Sequence, residues 1–386
     1  MNNNIKATFT QQLPLLLLIM LVMFPQIVET IYSPALPLIA EGFTVSQSIA
    51  AQTLSVYFIA FAFGVTVWGL LSDRIGRRKT TMIALTLYIF ATIFALLSPN
   101  FTLLLSARIL MAFAAAIGSI GTQTIIRDQF SGDRLRYIFS LIGIALAISP
   151  ILGLILGVLM VQLGGYHAVF SLLTAIGTVL LIWSLIKLPE TMPENHIIHP
   201  FWQTLKAMMQ DRMIWQYASL IAAFNIMLFS YYQLAPFIFE TLQLDNRLYG
   251  FSGILLGSGT FLGAFLNNRL INRYQLSGEK LISLATTLAL ISAILLLMLE
   301  SSWLFMLPMT GIMLAYSMAI PNILSLVLKN YQHTLGTAGA ILGFIYYCLI
   351  GLGLIFVGMM TSLGIALLIF AGIAMMIQLL PIKQNP

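Results

Sequence analysis

Apolar residues run almost unbroken from Leu13 to Ala40, and blocks of the same kind recur to the end of the chain. A helix that crosses a membrane needs about 20 consecutive apolar residues. By that measure the pattern predicts twelve spans. Six fall at 13–40, 47–72, 79–98, 101–126, 135–162 and 167–188. Six more fall at 212–239, 248–268, 279–299, 303–328, 335–361 and 363–381. Several exceed the minimum, which predicts tilt or protrusion from the bilayer. The breaks carry turn residues, such as "SPN" at 98–100 and "LGGYH" at 163–167. The longest polar stretch, "LPETMPENHIIHP" at 188–200, divides the chain. The expected architecture is all-α and membrane-integral. A six-helix bundle over 1–189 is followed by a cytoplasmic linker over 190–211 and a second six-helix bundle over 212–386.

Composition supports this reading. Of 386 residues 60% are hydrophobic and 8% charged, too few charges to cover a soluble protein of that size. The opening "MNNNIKATFTQQ" is polar, and the apolar run behind it is too long for a signal peptide, so a retained first span is expected. The net charge of +6 is a matter of topology. With the N-terminus inside, sixteen of the eighteen basic residues fall on the cytoplasmic side, only Arg247 falls outside, and Arg108 lies within a span. Both termini are therefore expected to be cytoplasmic, and no nucleic-acid partner is implied. The one cysteine, Cys348, excludes an internal disulfide and reads as a packing residue.

The two halves carry traces of a repeat. "GLLSDRIGRR" (69–78) follows the second span of the first half, and "GAFLNNRLINR" (263–273) the second span of the other. Arg74 aligns with Arg269, Arg78 with Arg273, and Asp73 with Asn268. Asp73 sits near a helix C-terminus, where the helix dipole disfavours an acid. It therefore needs cationic partners, and Arg74, Arg77 and Arg78 are at hand.

The loop "GLLSDRIGRRK" (69–79), in its place between spans two and three, resembles the signature of the major facilitator superfamily. "YSPALP", "IIRDQF" (125–130), "SPILGLILG" (149–157), "LPET" (188–191), "APF" (235–237), "PNILSL" (321–326) and "GTAGAILGF" (336–344) are similar to the Bcr/CflA-type drug:proton antiporters. The resemblance implies a major facilitator fold of two pseudo-symmetric bundles in a bacterial cytoplasmic membrane. It also implies a cytoplasmic gating latch built from Gly69, Asp73, Arg74, Gly76, Arg77 and Arg78, with Arg127 and Asp128 at the end of span four. Pro150 and Gly153 match the antiporter motif of span five. The chain departs from its relatives in three places. Thr30 stands where an aspartate is usual, with the acid one residue earlier at Glu29. Met111 and Ala112 replace a glutamine and a glycine, and Leu154 replaces a second glycine.

Glu29 is the only acid well inside any span. Intramembrane ionisable residues mark function by default. An apolar setting favours its neutral form and a nearby cation its charged form. A group held between the two can exchange protons near neutral pH. Arg108 is the expected cation. Counted along their spans, both residues sit in the outer half of the bilayer, within roughly 6 Å in depth, so a pair, direct or through water, is expected. A purely structural pair is the alternative.

The faces around them predict a substrate cavity. Gln26, Glu29, Tyr32 and Ser33 share one side of span one. Arg108, Ala112, Ala115, Ser119 and Thr122 form a small-and-polar stripe on span four, with Gln123 beside it. Asn225, Phe229, Tyr232 and Gln233 share a face of span seven, and Tyr346 and Tyr347 add aromatic surface from span eleven. Aromatic faces around one carboxylate suit a lipophilic cation. Interhelical packing is the competing role for the span-seven face.

The expected function is proton-coupled efflux of small compounds or drugs by alternating access. A dedicated exporter of one metabolite, such as a siderophore or amino-acid derivative, is the alternative. An enzyme is disfavoured because no nucleophile–base pair or phosphate loop lies on the spans. A receptor is disfavoured because the longest loop, 189–211, leaves no room for a sensory domain. No cofactor is expected beyond the proton, no metal at "HIIH" (196–199), and the protein is expected to work as a monomer.

Overall fold

The computed structural model describes residues 14–193 and 201–380. Lys6, Lys383 and "HIIH" lie outside them, as does the side chain of His333. The described residues form α1 (Leu15–Tyr32), a 3₁₀ turn (Ser33–Ala35), α2 (Leu36–Gly42), α3 (Gln47–Ile75), α4 (Arg77–Leu96), α5 (Phe101–Gln129) and α6 (Gly132–Lys187). After them come α7 (Phe201–Gln210), α8 (Arg212–Thr241), α9 (Asn246–Tyr274), α10 (Gly278–Leu299), α11 (Met306–Val327), α12 (Leu335–Gly358) and α13 (Leu363–Leu379). In hydrocarbon each backbone N–H and C=O must be satisfied within the segment, which leaves helices as the form such apolar blocks take.

Ten helices among the described residues are long and apolar enough to cross a membrane. At 56 residues, α6 is far longer than one crossing needs, and it breaks at Gly164 and Gly165 (φ +63), inside the turn expected at 163–167. α13 is apolar and 17 residues long. Polar caps start the helices where the sequence places turns. Asn100 accepts from the Leu103 N–H at 3.0 Å, and Asp211 from the Met213 N–H at 2.9 Å. One element lies where only a linker was expected: α7, a ten-residue helix that buries Thr204 and Met208 and leaves Trp202 exposed.

The buried apolar residues gather in two cores. One is built chiefly from α1–α6, with Phe237 of α8, and the other chiefly from α8–α13. Small residues let the helices approach. A Cβ on Gly153 of α6 would lie 1.8 Å from Thr30 Oγ1 and 2.8 Å from Thr30 Cβ, and one on Gly157 would lie 2.4 Å from the Ile31 carbonyl. Thr30 thus packs into the glycine of the proposed antiporter motif, its hydroxyl donating back to the Gln26 carbonyl at 2.8 Å. Gly153→Ala is expected to lower the melting temperature by several degrees, with partial recovery in Gly153→Ala/Thr30→Ala. Thermal unfolding of the purified variants checks this.

The two cores touch along only part of their length. Away from the 69–79 loop they are in close contact: Gln52 donates to the Ile355 carbonyl at 3.0 Å, and Ser48 to that of Gly358 at 2.6 Å. Gly250 and Gly253 of α9 pack on Val158 and Leu154 of α6. Toward the loop the contact runs out. A Cβ on Gly343 of α12 would still lie 3.5 Å from Val65 of α3, whereas one on Gly339 or Gly336 would meet nothing within 4 Å. Beyond Ile151 and Gly257, Ile144 and Ile148 of α6 and Phe261 and Phe265 of α9 are exposed. The bundle is closed at one end and parted at the end that bears the basic loop.

Candidate functional site

The centre is built around Arg108 on α5. It is wholly buried, and its guanidinium carbon lies 3.8 Å from the Tyr32 ring centroid and 4.7 Å from that of Tyr57. Tyr32 reaches it from α1 and Tyr57 from α3. Tyr88 of α4 lies within electrostatic reach. Stacking on two rings compensates part of the cost of burying a cation. Yet Nε, Nη1 and Nη2 of Arg108 have no hydrogen-bond partner among the described residues, and neither do the hydroxyls of Tyr57, Tyr88 and Tyr232.

Glu29 lies on α1, one turn before Tyr32. Like Arg108, it is buried. The two are within electrostatic reach, but no ion pair or hydrogen bond joins them. Of the pair expected from their depths, direct or through water, the direct form is not made. Tyr32 and Tyr57 occupy the faces of the guanidinium, a packing that depth along a span does not reveal. Glu29 instead faces the seam between the cores, within electrostatic reach of Tyr57 and of Tyr232, Tyr316 and Tyr347 from the second half.

The other expected cavity residues divide. Gln26, Ser119 and Gln123 are half-buried on α1 and α5. Asn225 is half-buried and accepts from the Tyr316 hydroxyl at 3.3 Å. Phe229 packs against Phe58 across the seam, with ring centroids 4.3 Å apart. Tyr346 lies tilted against Tyr347, with ring centroids 4.4 Å apart, and Tyr347 meets Phe61 edge to face at 4.8 Å. Gln233 does not face this space. Fully buried, it donates to the Ala51 carbonyl at 2.9 Å, to Ser55 Oγ at 3.0 Å and to the Leu354 carbonyl at 3.2 Å, tying α8 to α3 and α12. Nearby, Ser33 donates to the Tyr232 carbonyl and lies 2.6 Å from the Tyr249 hydroxyl.

The latch residues form a cluster within the first half. Arg77, 1% exposed, pairs with Asp73 at 2.9 Å and with Asp128 at 2.9 Å, and donates to the Ser72 carbonyl at 2.8 Å. Gly76 turns the chain at φ +100, and a Cβ there would meet the Glu190 carboxylate at 2.4 Å. Glu190, in "LPET", accepts from the backbone N–H of Arg77 at 2.9 Å and of Arg78 at 3.2 Å, capping α4 from the far end of the first half. Gly69 approaches Ile120. Arg74 and Arg127 are exposed, Arg127 beside the Phe139 ring. In the second half, Asn272 donates to Asn268 at 2.5 Å, an amide pair in place of the Arg77–Asp73 ion pair.

Glu190 has no role that sequence alone supplied; the only signal was its place in a family tetrapeptide. Burial pushes its carboxyl up, but the N–H groups of Met192, Arg77, Thr191 and Arg78 outweigh that and hold it below the usual carboxylate value. A carboxyl lowered on folding adds stability above its unfolded value, near pH 4.3, and loses it as pH falls through the folded value. Wild type is expected to melt a few degrees above Glu190→Ala at pH 7. The gap should close below about pH 4, which melting curves across pH would check.

Comparisons with known proteins agree with this architecture. The sequence profile of the Major Facilitator Superfamily matches residues 16–354. An uncharacterized transporter of Rickettsia bellii is 32% identical over 354 residues, covering 88% of each chain. The chloramphenicol resistance protein of Pseudomonas aeruginosa is 25% identical over 350 residues, covering 87% of this chain and 80% of that one. Among solved structures, a bacterial homolog of the human lysosomal transporter Spinster, inward-facing and unoccupied, superposes with TM-score 0.71 at 15% identity, over 90% of this chain and 81% of that one.

Proposed function

Because the chain belongs to the Major Facilitator Superfamily and is a multi-pass membrane transporter, we propose that it exports small compounds across the bacterial cytoplasmic membrane in exchange for protons. The observation that carries this reading is Glu29, the one acid deep in a span, at the seam where the two cores meet. A carboxylate there is reached from one side at a time if the cores rock about it. Deprotonated, it holds substrate; protonated, it releases it. Competition of this kind couples the inward proton gradient to export.

Twelve crossings follow if α6 counts as two and α13 as one. Both termini and the basic loop then face the cytoplasm, as the charge asymmetry favours. On that orientation the conformation is open inward. The chloramphenicol resistance protein among the relatives supports a drug-like small compound as the cargo. The protein is proposed to act as a monomer, with no cofactor besides the proton.

The test is proton-gradient collapse in everted vesicles on adding candidate substrates. Collapse by unrelated compounds supports multidrug exchange, and collapse by one chemical class a dedicated exporter. No response to any compound removes proton coupling from the proposal.

A further inference from the structure

We propose that the transported compounds include zwitterions, with a carboxylate anchored on Arg108 and an amine on Glu29. This rests on the exchange reading above but assigns Arg108 a ligand of its own. The argument is a count of donors and acceptors. Arg108 presents N–H groups from three nitrogens that no described residue satisfies, and the hydroxyls of Tyr57, Tyr88 and Tyr232 are likewise unpaired. Glu29 is the one carboxylate near them and does not pair with the arginine. A buried guanidinium without a hydrogen-bonded anion is strongly unfavourable, and its planar fork matches a carboxylate in two-point geometry.

A simple lipophilic cation uses none of these donors and is repelled by Arg108. A simple anion binds best when Glu29 is protonated, so it would travel with the proton. Only a ligand carrying both charges satisfies the arginine and still competes with the proton for Glu29. Tyr32 and Tyr57 cover the guanidinium faces, so a carboxylate would meet its N–H edges, which are buried in this conformation and become reachable only as the seam admits the ligand. Phe229 and Tyr347, which the second half brings to the seam, favour an aromatic body.

The experiment is equilibrium thermal stabilisation of the protein in lipid nanodiscs by three probes built on one ring. These are 4-(aminomethyl)benzoate, 4-(aminomethyl)benzamide and 4-methylbenzoate, with sodium chloride as a fourth arm. The expected result is half-saturation by the zwitterion at least tenfold below either singly charged probe. Arg108→Gln should raise the zwitterion value at least tenfold and leave the amine probe within twofold. Arg108→Lys, which keeps the charge but not the fork, should fall between. Equal binding of amine and zwitterion, or an equal effect of Arg108→Gln on all probes, overturns the proposal. So does chloride protecting as well as the carboxylates, which would make Arg108 the seat of a small inorganic anion, or no stabilisation by any probe. No proton gradient is involved, so this can fail while vesicle exchange succeeds, and the reverse.

Discussion

Everted vesicles carrying Glu29→Gln are expected to show no substrate-driven collapse of the proton gradient, a fall from full signal to the background of empty vesicles. The amide matches protonated glutamic acid in shape and cannot ionise. It therefore holds the site in its released form while leaving packing at the seam nearly unchanged, since Glu29 makes no ion pair for the substitution to break. Coupling between proton and substrate is reciprocal. A site that cannot bind the proton differentially cannot be driven by it. Insertion and melting temperature should stay near wild type, which separates this loss from misfolding. Moving the acid to the position used by relatives should not restore exchange: in Glu29→Gln/Thr30→Asp the new carboxylate would face Gly153, in the tight α1–α6 contact, and not the seam. Gradient collapse in Glu29→Gln vesicles equal to wild type would remove Glu29 from the mechanism.

Hydropathy alone located the helices well. The span expected at 47–72 is Gln47–Ile75, that at 212–239 is Arg212–Thr241, and the turn at 163–167 holds the break at Gly164–Gly165. Apolar length and turn residues are local properties, and lipid rewards them span by span. α7 was missed because its apolar face is too short to register as a span. The site was legible in its ions and not in its contacts. Glu29 and Arg108 stand out because charge is rare within the spans. Which way each side chain leans depends on helix rotation, and a rotation of one residue, about 100°, separates Glu29 at the seam from Thr30 against α6. The boxing of Arg108 by Tyr32 and Tyr57, the capping of α4 by Glu190 across 112 residues of chain, and the turn of Gln233 away from the centre are long-range facts. No local pattern encodes them.

The closed end makes the second large prediction. Two polar clusters hold the halves together there: Ser33 with the Tyr232 carbonyl and Tyr249, and Gln233 with α3 and α12. All of these side chains are buried while that end is shut. If it opens, water can satisfy the same groups. Removing one partner therefore penalises the closed form alone, because the orphaned group is buried only there. At about 0.5–1 kcal/mol net for each of the two substituted side chains, Ser33→Ala/Gln233→Leu should shift the equilibrium toward opening by roughly five- to thirtyfold. Spin labels at exposed Glu41 and Arg247 would read it, after the native Cys348 is replaced by alanine. Dipolar distances should be short and single in the parent. In the double variant a longer population should appear, while the labelled protein keeps its helix content. A distance distribution unchanged from the parent would mean that apolar contacts such as Phe58 on Phe229 hold that end by themselves. A shift confined to the variant would mean that these hydrogen bonds set how often the site faces the other side, and so bear directly on the rate at which protons and substrate are exchanged.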